Sequence, residues 1–165
     1  MKTLLFAPCY LDEGDRLQRN IKWLNYYQEL YNNLDFDHIL LVDNKSNENN
    51  LFRLRVTNAM LGPGLTILKN DVHMKRLSTH CYGYWYRAFA QAIKYAKDNG
   101  YAKILHIDSD VFILNQKMVD WCNNTNSGWI SQWCHKYAFP ESTFQIINSD
   151  QFDKAYKWFI EDFLE

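Results

Sequence analysis

The chain has 165 residues and a formal charge of −1 at neutral pH. That length makes one domain, and that balance excludes a global electrostatic attraction to nucleic acid or anionic membrane. A domain of this size buries about 70% of the surface its unfolded chain exposes, so it needs no disulfide or metal merely to fold.

The four cysteines, Cys9, Cys81, Cys122 and Cys134, form no CxxC pair and are expected to be reduced core thiols of a cytoplasmic protein. No apolar run reaches the length of a membrane span. Short apolar runs alternate with longer stretches of helical period, the pattern of an α/β domain. Residues 3–7 predict a first buried strand ended by Pro8. From 15 to 34, apolar residues including Leu17, Ile21, Leu24, Tyr27, Leu30 and Leu34 recur at helical spacing. Residues 38–42 predict a second strand, 43–50 a polar loop, and 51–60 a second helix broken by Gly62-Pro63-Gly64. A third strand is expected over 65–68, and a third helix over 81–98 with a small-residue face of Ala88, Ala92 and Ala96, stopped by Asn99-Gly100. Residues 103–107 predict a fourth strand and 116–122 a helix. Residues 129–134 and 143–147 predict two further strands, and 151–164 an amphipathic helix. No linker or repeat divides the chain. Residues 1–165 therefore read as a single domain with a central, mostly parallel sheet flanked by helices, either whole or part of a longer protein.

Ligands of open α/β sheets collect outside the carboxyl ends of the strands. Three polar features fall there: Pro8-Cys9-Tyr10, Asp43-Asn44-Lys45-Ser46 and Asp108-Ser109-Asp110. The last interrupts the apolar run "ILHIDSDVFIL". Carboxylates at i and i+2 of a strand point to one side and repel unless a cation lies between them. Mg2+ and similar hard cations take oxygen ligands and share their coordination with phosphate oxygens. The pair is therefore expected to hold Mn2+ or Mg2+ against a diphosphate, a solvated turn being the alternative.

Three ordered blocks between residue 3 and about residue 114 resemble the family 2 glycosyltransferases of GT-A fold. "FAPCYLDEG" resembles the family's strand-Pro-x-Tyr opening, "ILLVDNKSNE" its strand and acidic loop, and "AFAQAIKYAKDNGYAKILHIDSD" its small-residue helix and the strand ending in Asp-x-Asp. The loop carries Asn44 and Lys45 where the family has a second Asp and a Gly, Ala90 stands where the family often has Asn, and the Gln-x-x-Arg-Trp motif is not found. The resemblance implies a GT-A (Rossmann-like) fold and metal-dependent, inverting transfer of a sugar from a nucleotide-diphosphate donor. A UDP-sugar is the first choice of donor, and a hydroxyl of a glycan, lipid or protein is the acceptor. It also implies site roles. The backbone around Pro8 borders the base and Tyr10 stacks on it; Asp43 accepts hydrogen bonds from base or ribose; Asp108 meets the ribose or the metal; Asp110 binds the metal directly.

Other residues are assigned from their chemistry. Arg87, on the third helix, is expected to offer a fork of donors to phosphate. His73 and His80 are candidates for diphosphate contact. Glu141, in "FPESTFQ", is the first acidic candidate for the general base and Asp150 the second, while His135 is a candidate third metal ligand. Two other functions compete: a haloacid-dehalogenase-type phosphatase with Asp108 as nucleophile and Asp110 as general acid, and a nucleotide- or glycan-binding module without turnover.

Overall fold

The apolar runs become the strands of one sheet in a computed structural model, which describes residues 1–30, 33–58, 63–75 and 83–161. In chain order the elements are β1 (Thr3–Cys9), α1 (Arg16–Leu30), β2 (His38–Asp43), α2 (Glu48–Asn58), β3 (Gly64–Lys69) and α3 (Gly83–Asp98). Then follow β4 (Lys103–Ile107), α4 (Gln116–Asn124), β5 (Trp129–Cys134), β6 (Phe139–Asn148), a single 3-10 turn and α5 (Phe152–Glu161). The strands lie in the order β3-β2-β1-β4-β6-β5. The first four are parallel; β6 runs antiparallel to β4, and β5 antiparallel to β6.

Both faces of the sheet are covered, so every residue of β1 and β4 is buried. Leu5, Ala7, Ile39, Leu41, Leu105 and Ile107 pack with Leu17, Trp23, Leu24 and Tyr27 of α1 and Leu51 and Leu54 of α2. The alternate residues Leu4, Phe6, Leu40, Val42 and Ile104 pack with Ala88, Ala92 and Ala96 of α3 and with Phe152, Ala155 and Phe159 of α5. Each parallel strand leads into a helix that returns alongside it, so the first turns of α1, α2 and α3 stand at the carboxyl edge of the sheet.

Several boundaries differ from expectation. β1 continues through Pro8, because Cys9 O accepts from Asn44 N–H on the β2 side, which turns the missing N–H of Pro8 toward β4. The β1–β4 ladder has already ended there, at Phe6 and His106. Residues 33–34 form a turn rather than the end of a helix, with Leu34 buried in it, and residues 31–32 lie outside the described residues. α2 begins at Glu48 rather than Leu51. β6 begins at Phe139, four residues earlier than expected, since these residues overhang the sheet and carry no apolar alternation. Residues 59–60, 81–82 and 162–164 of the predicted helices lie outside the described residues. Cys9, Cys122 and Cys134 are free thiols, Cys9 and Cys122 buried; Cys81 lies outside the described residues. Among the described residues no helix is long and apolar enough to cross a membrane.

Candidate active site

β2 delivers Asp43 to the carboxyl edge with no exposed surface. Its carboxylate accepts from the Ser46 N–H at 2.7 Å and from the Ser46 hydroxyl, and Ser46 Oγ accepts in turn from Leu11 N–H at 2.8 Å. Burial outweighs the donations from Ser46 and holds the Asp43 carboxyl above its usual pKa. Burial, reinforced by Asp43, likewise pushes the Cys9 thiol well up. The turn closes through Lys45 at φ 67, the left-handed region that favours glycine. The contact to base or ribose expected of Asp43 is thereby corrected: a carboxylate without surface, bonded to its own loop, shapes the edge from within.

Asn44 is buried beside it. Its Oδ1 accepts from Met74 N–H and from Arg87 Nη2, each at 2.9 Å, while its Nδ2 donates to the Met74 carbonyl at 2.9 Å. An aspartate here would accept but could not donate to Met74, which accounts physically for the departure from the family's second acid. His73 Nδ1–H donates to the Asn44 carbonyl at 3.0 Å, and the His73 ring packs on Tyr10 with centroids 4.5 Å apart. The Arg16 guanidinium lies 5.6 Å from the Tyr10 ring on its way to Glu13. Pro8 is buried in β1, so of that pair Tyr10 alone reaches the surface. Arg87 Nη2 also donates to the Val72 carbonyl at 2.9 Å. The arginine therefore clasps the loops after β2 and β3, leaving its buried Nε without a partner, and burial lowers its pKa.

The end of β4 is built differently. The strand stops at Ile107. Asp108 N–H donates to the Thr143 carbonyl of β6 at 2.9 Å and Val111 N–H to the Asp108 carbonyl at 2.9 Å, which closes a turn. Contrary to expectation, the two carboxylates thus do not share one side of a strand. Asp108 Oδ1 faces His106 Nε2 at 3.3 Å, whereas Asp110 Oδ2 lies 3.7 Å from Arg19 Nη1 on α1. Their side chains are 25% and 58% exposed respectively. The chain leaving the turn is pinned to α1: the Tyr27 hydroxyl donates to Val111 O at 3.1 Å and accepts from Ile113 N–H at 3.2 Å, and the Tyr26 hydroxyl donates to Ile113 O.

Two residues at this edge escaped the sequence reasoning. His106 is fully buried. Its Nδ1 lies 3.3 Å from the Phe6 carbonyl, its ring packs 4.4 Å from Phe89, and its Nε2 reaches toward Asp108 without the alignment of a hydrogen bond. Its signal was a histidine inside a wholly buried strand, two residues before the acid. Tyr84 stands in the first turn of α3; burial, then Cys9, Asp108 and Asp43 nearby, push its phenol well above the ordinary pKa, so it remains a donor. Its signal was the β3–α3–β4 crossover, which carries that turn to the carboxyl edge.

Glu141 is brought to the Asp108 turn. It lies on β6 two residues before Thr143, whose hydroxyl donates to Glu141 Oε1 at 3.2 Å. Asp150 is not. β6 runs back along β4 until Asn148 pairs with Lys103, so Asp150 sits at the opposite edge of the sheet, where it accepts from Gly128 N–H at 3.0 and 3.1 Å. His135 is exposed in the β5–β6 connection. Among the described residues no three His, Cys, Asp or Glu side chains are grouped to hold a metal, so His135 does not complete a protein triad with Asp108 and Asp110. His80 lies outside the described residues.

No known protein family and no curated protein matches the sequence. Solved structures do match the fold. The mannosyltransferase PcManGT from Pyrobaculum calidifontis, in complex with GDP-Man and Mn2+, superposes on 93% of this chain with a TM-score of 0.60 at 13% identity. The galactosyltransferase LgtC, in complex with donor and acceptor sugar analogues, covers 98% with a TM-score of 0.61 at 11% identity. Residues 1–349 of S. aureus TarS, in complex with UDP, cover 93% with a TM-score of 0.54 at 15% identity. The chain has the GT-A fold. It spans 46% of the first of these neighbours, 64% of the second and 48% of the third, and the likeness does not favour the phosphatase alternative.

Proposed function

We propose that this GT-A domain transfers a sugar from a nucleotide-diphosphate donor to an acceptor hydroxyl. The observation that carries the reading is the Asp108–Asp110 turn, which places two carboxylates at the carboxyl edge of a GT-A sheet, Asp108 partly buried and Asp110 exposed. Neighbours of the same fold in complex with GDP-Man and Mn2+ or with UDP support a donor of that kind, a UDP-sugar being the first to test. Tyr10 and His73 form an aromatic lip for the base, with the loop held by Asp43 and Asn44 behind it. The hydroxyl of Tyr84 offers a donor toward the diphosphate, and Arg87 holds the Asn44 and Val72 loops together behind it.

The residues present fit a shared cation rather than a protein cage. Asp108 and Asp110 supply hard oxygen ligands with exposed surface, and a divalent ion would complete its coordination with diphosphate oxygens and water. Held there, Mn2+ or Mg2+ would supply Lewis-acid stabilisation of the leaving diphosphate. The chain's own part is to orient the donor and to take a proton. The acceptor oxygen forms a bond to the sugar's anomeric carbon as the bond from that carbon to the phosphate oxygen breaks. The nucleoside diphosphate leaves with the electron pair, and the hydroxyl proton passes to the Glu141 carboxylate. A base opposite the leaving group makes the transfer inverting.

Calorimetric titration of UDP with and without Mn2+ tests this directly, the expected result being tight binding only when both are present. Glu141→Gln should leave UDP affinity unchanged and slow transfer by about a hundredfold. UDP binding indifferent to Mn2+ and to Asp110→Asn would overturn the reading. Hydrolysis of simple phosphate esters that depends on Asp108 would replace it with the phosphatase.

A further inference from the structure

The hairpin of β5 and β6 overhangs the edge that carries Asp108. β6 pairs with β4 only from Phe144 onward, so residues 139–143 run past the end of β4 beside the Asp108 turn. Three large aromatic side chains face solvent on this overhang: Trp133 at 54% exposure, Tyr137 at 60% and Phe139 at 47%. The Tyr137 and Phe139 rings stack with centroids 6.0 Å apart and planes 26° from parallel. Between them Ala138 holds φ 53, a conformation disfavoured for any residue but glycine or asparagine. Trp133 pairs with Pro140 on the rung next to Cys134 and Phe139, so it faces the other side of the hairpin, and the Lys136 ammonium lies 4.9 Å from the Tyr137 ring. Isolated exposed apolar residues are ordinary. Two stacked exposed rings, beside the carboxylate turn and on the strand face of Glu141, call for a ligand.

Area and chemistry narrow the occupant. Two rings at about half exposure offer on the order of 200 Å², well short of the roughly 800 Å² per partner of a stable protein interface. A pyranose suits them: its face of C–H bonds meets the electron-rich face of an aromatic ring, while its hydroxyls have Lys136 and Glu141 beside the rings as hydrogen-bonding partners. We propose that the hairpin is the acceptor platform, which binds a saccharide by stacking on Tyr137 and Phe139 and directs one hydroxyl toward Glu141 and the Asp108 turn. The assignment of an acceptor rests on the transfer reading above; the stacking itself does not.

The test titrates the intact chain with cellotetraose, chitotetraose, maltotetraose and lactose in the absence of nucleotide, by calorimetry and saturation-transfer NMR. UDP binding with Mn2+ is measured on the same samples. At least one saccharide should saturate both signals. Tyr137→Ala and Phe139→Ala should each weaken it by about tenfold, with UDP affinity and far-UV circular dichroism unchanged, whereas Trp133→Ala, on the other face of the hairpin, should leave it unchanged. Saccharide binding untouched by Tyr137→Ala and Phe139→Ala, or absent while UDP binds, overturns the platform and leaves the donor site standing. Saccharide binding that persists where UDP fails to bind overturns the donor site and supports the platform. A concentration-dependent dimer dissolved by Tyr137→Ala would make the patch a protein interface and likewise overturn it.

Discussion

The two strand ends that carry the acidic residues of the site are made in opposite ways. At the end of β2 the Asp43 carboxylate has no surface and receives the N–H and hydroxyl of Ser46, while Asn44 beside it uses both ends of its amide on Met74 and Arg87. At the end of β4 the carboxylates have surface, and their neighbours are a misaligned histidine at 3.3 Å and a half-buried arginine at 3.7 Å. Satisfied polar networks in a low-dielectric interior rigidify the backbone around them. Loosely held exposed charges are worth little to stability and remain free to bind. Asp43 is therefore tied into the shape of the edge, whereas Asp108 and Asp110 keep accessible surface there.

Removing the carboxylates one at a time puts this contrast under the greatest load. Asp43→Ala leaves the Ser46 N–H and hydroxyl buried without an acceptor. At about 1 to 3 kcal/mol for each such group, stability measured by urea unfolding should fall by roughly 3 kcal/mol. Asp110→Asn should change it by less than about 0.5 kcal/mol, as for most surface substitutions. Equal losses at the two positions would erase the distinction. Ligand binding should rank them the other way. Asp110→Asn should cost the Mn2+-dependent part of UDP affinity at least tenfold, about 1.4 kcal/mol. Asp43→Asn, which keeps the shape of the side chain, should leave the Mn2+ dependence in place.

The same contrast has a pH signature. Burial raises the folded-state pKa of Asp43 above its unfolded value near 3.9. Between those two values the folded chain binds more protons than the unfolded one, so the contribution of Asp43 to stability is full below the unfolded pKa and is lost as pH rises through the folded one. Urea midpoints collected across this range should fall with rising pH in the wild type and fall less steeply in Asp43→Asn. A wild-type profile that instead rose with pH through the window, unaltered by Asp43→Asn, would show that the Ser46 donations outweigh burial.

Much of this was legible in the chain. Strands covered on both faces leave unbroken apolar runs, and the parallel crossovers fix which loops meet, so the convergence of residues 8–10, 43–46 and 108–110 followed from sequence. What the sequence withheld was orientation and direction. Position at a strand's end does not tell whether a carboxylate turns inward, and Asp43 does. The i, i+2 spacing of Asp108 and Asp110 implies one side only if the strand continues, and it stops one residue short. Asp150 was mistaken for a site residue because β6 reverses the chain: Glu141 enters at the carboxyl edge, and seven residues later Asn148 has reached the other one. Pro8 read as a terminator because nothing local reveals that the β1–β4 ladder has already ended.

Lys45 yields the smallest effect and the finest division between shaping and binding. It is exposed, and it holds φ 67 in the middle of the loop that Asp43 closes. The left-handed conformation costs a residue with a β-carbon about 1 to 2 kcal/mol, while glycine gives back some 0.4 to 1 kcal/mol through the greater freedom of the unfolded chain. Lys45→Gly should therefore raise stability by roughly 0.5 kcal/mol, read as a small rise in urea midpoint at constant slope. If the β2 loop only shapes the edge, UDP affinity should not change. A drop in affinity that shrinks as salt is added would instead mean that the Lys45 ammonium meets the diphosphate. That result would give the β2 loop a ligand contact of its own and confine the contrast between the two strand ends to their carboxylates.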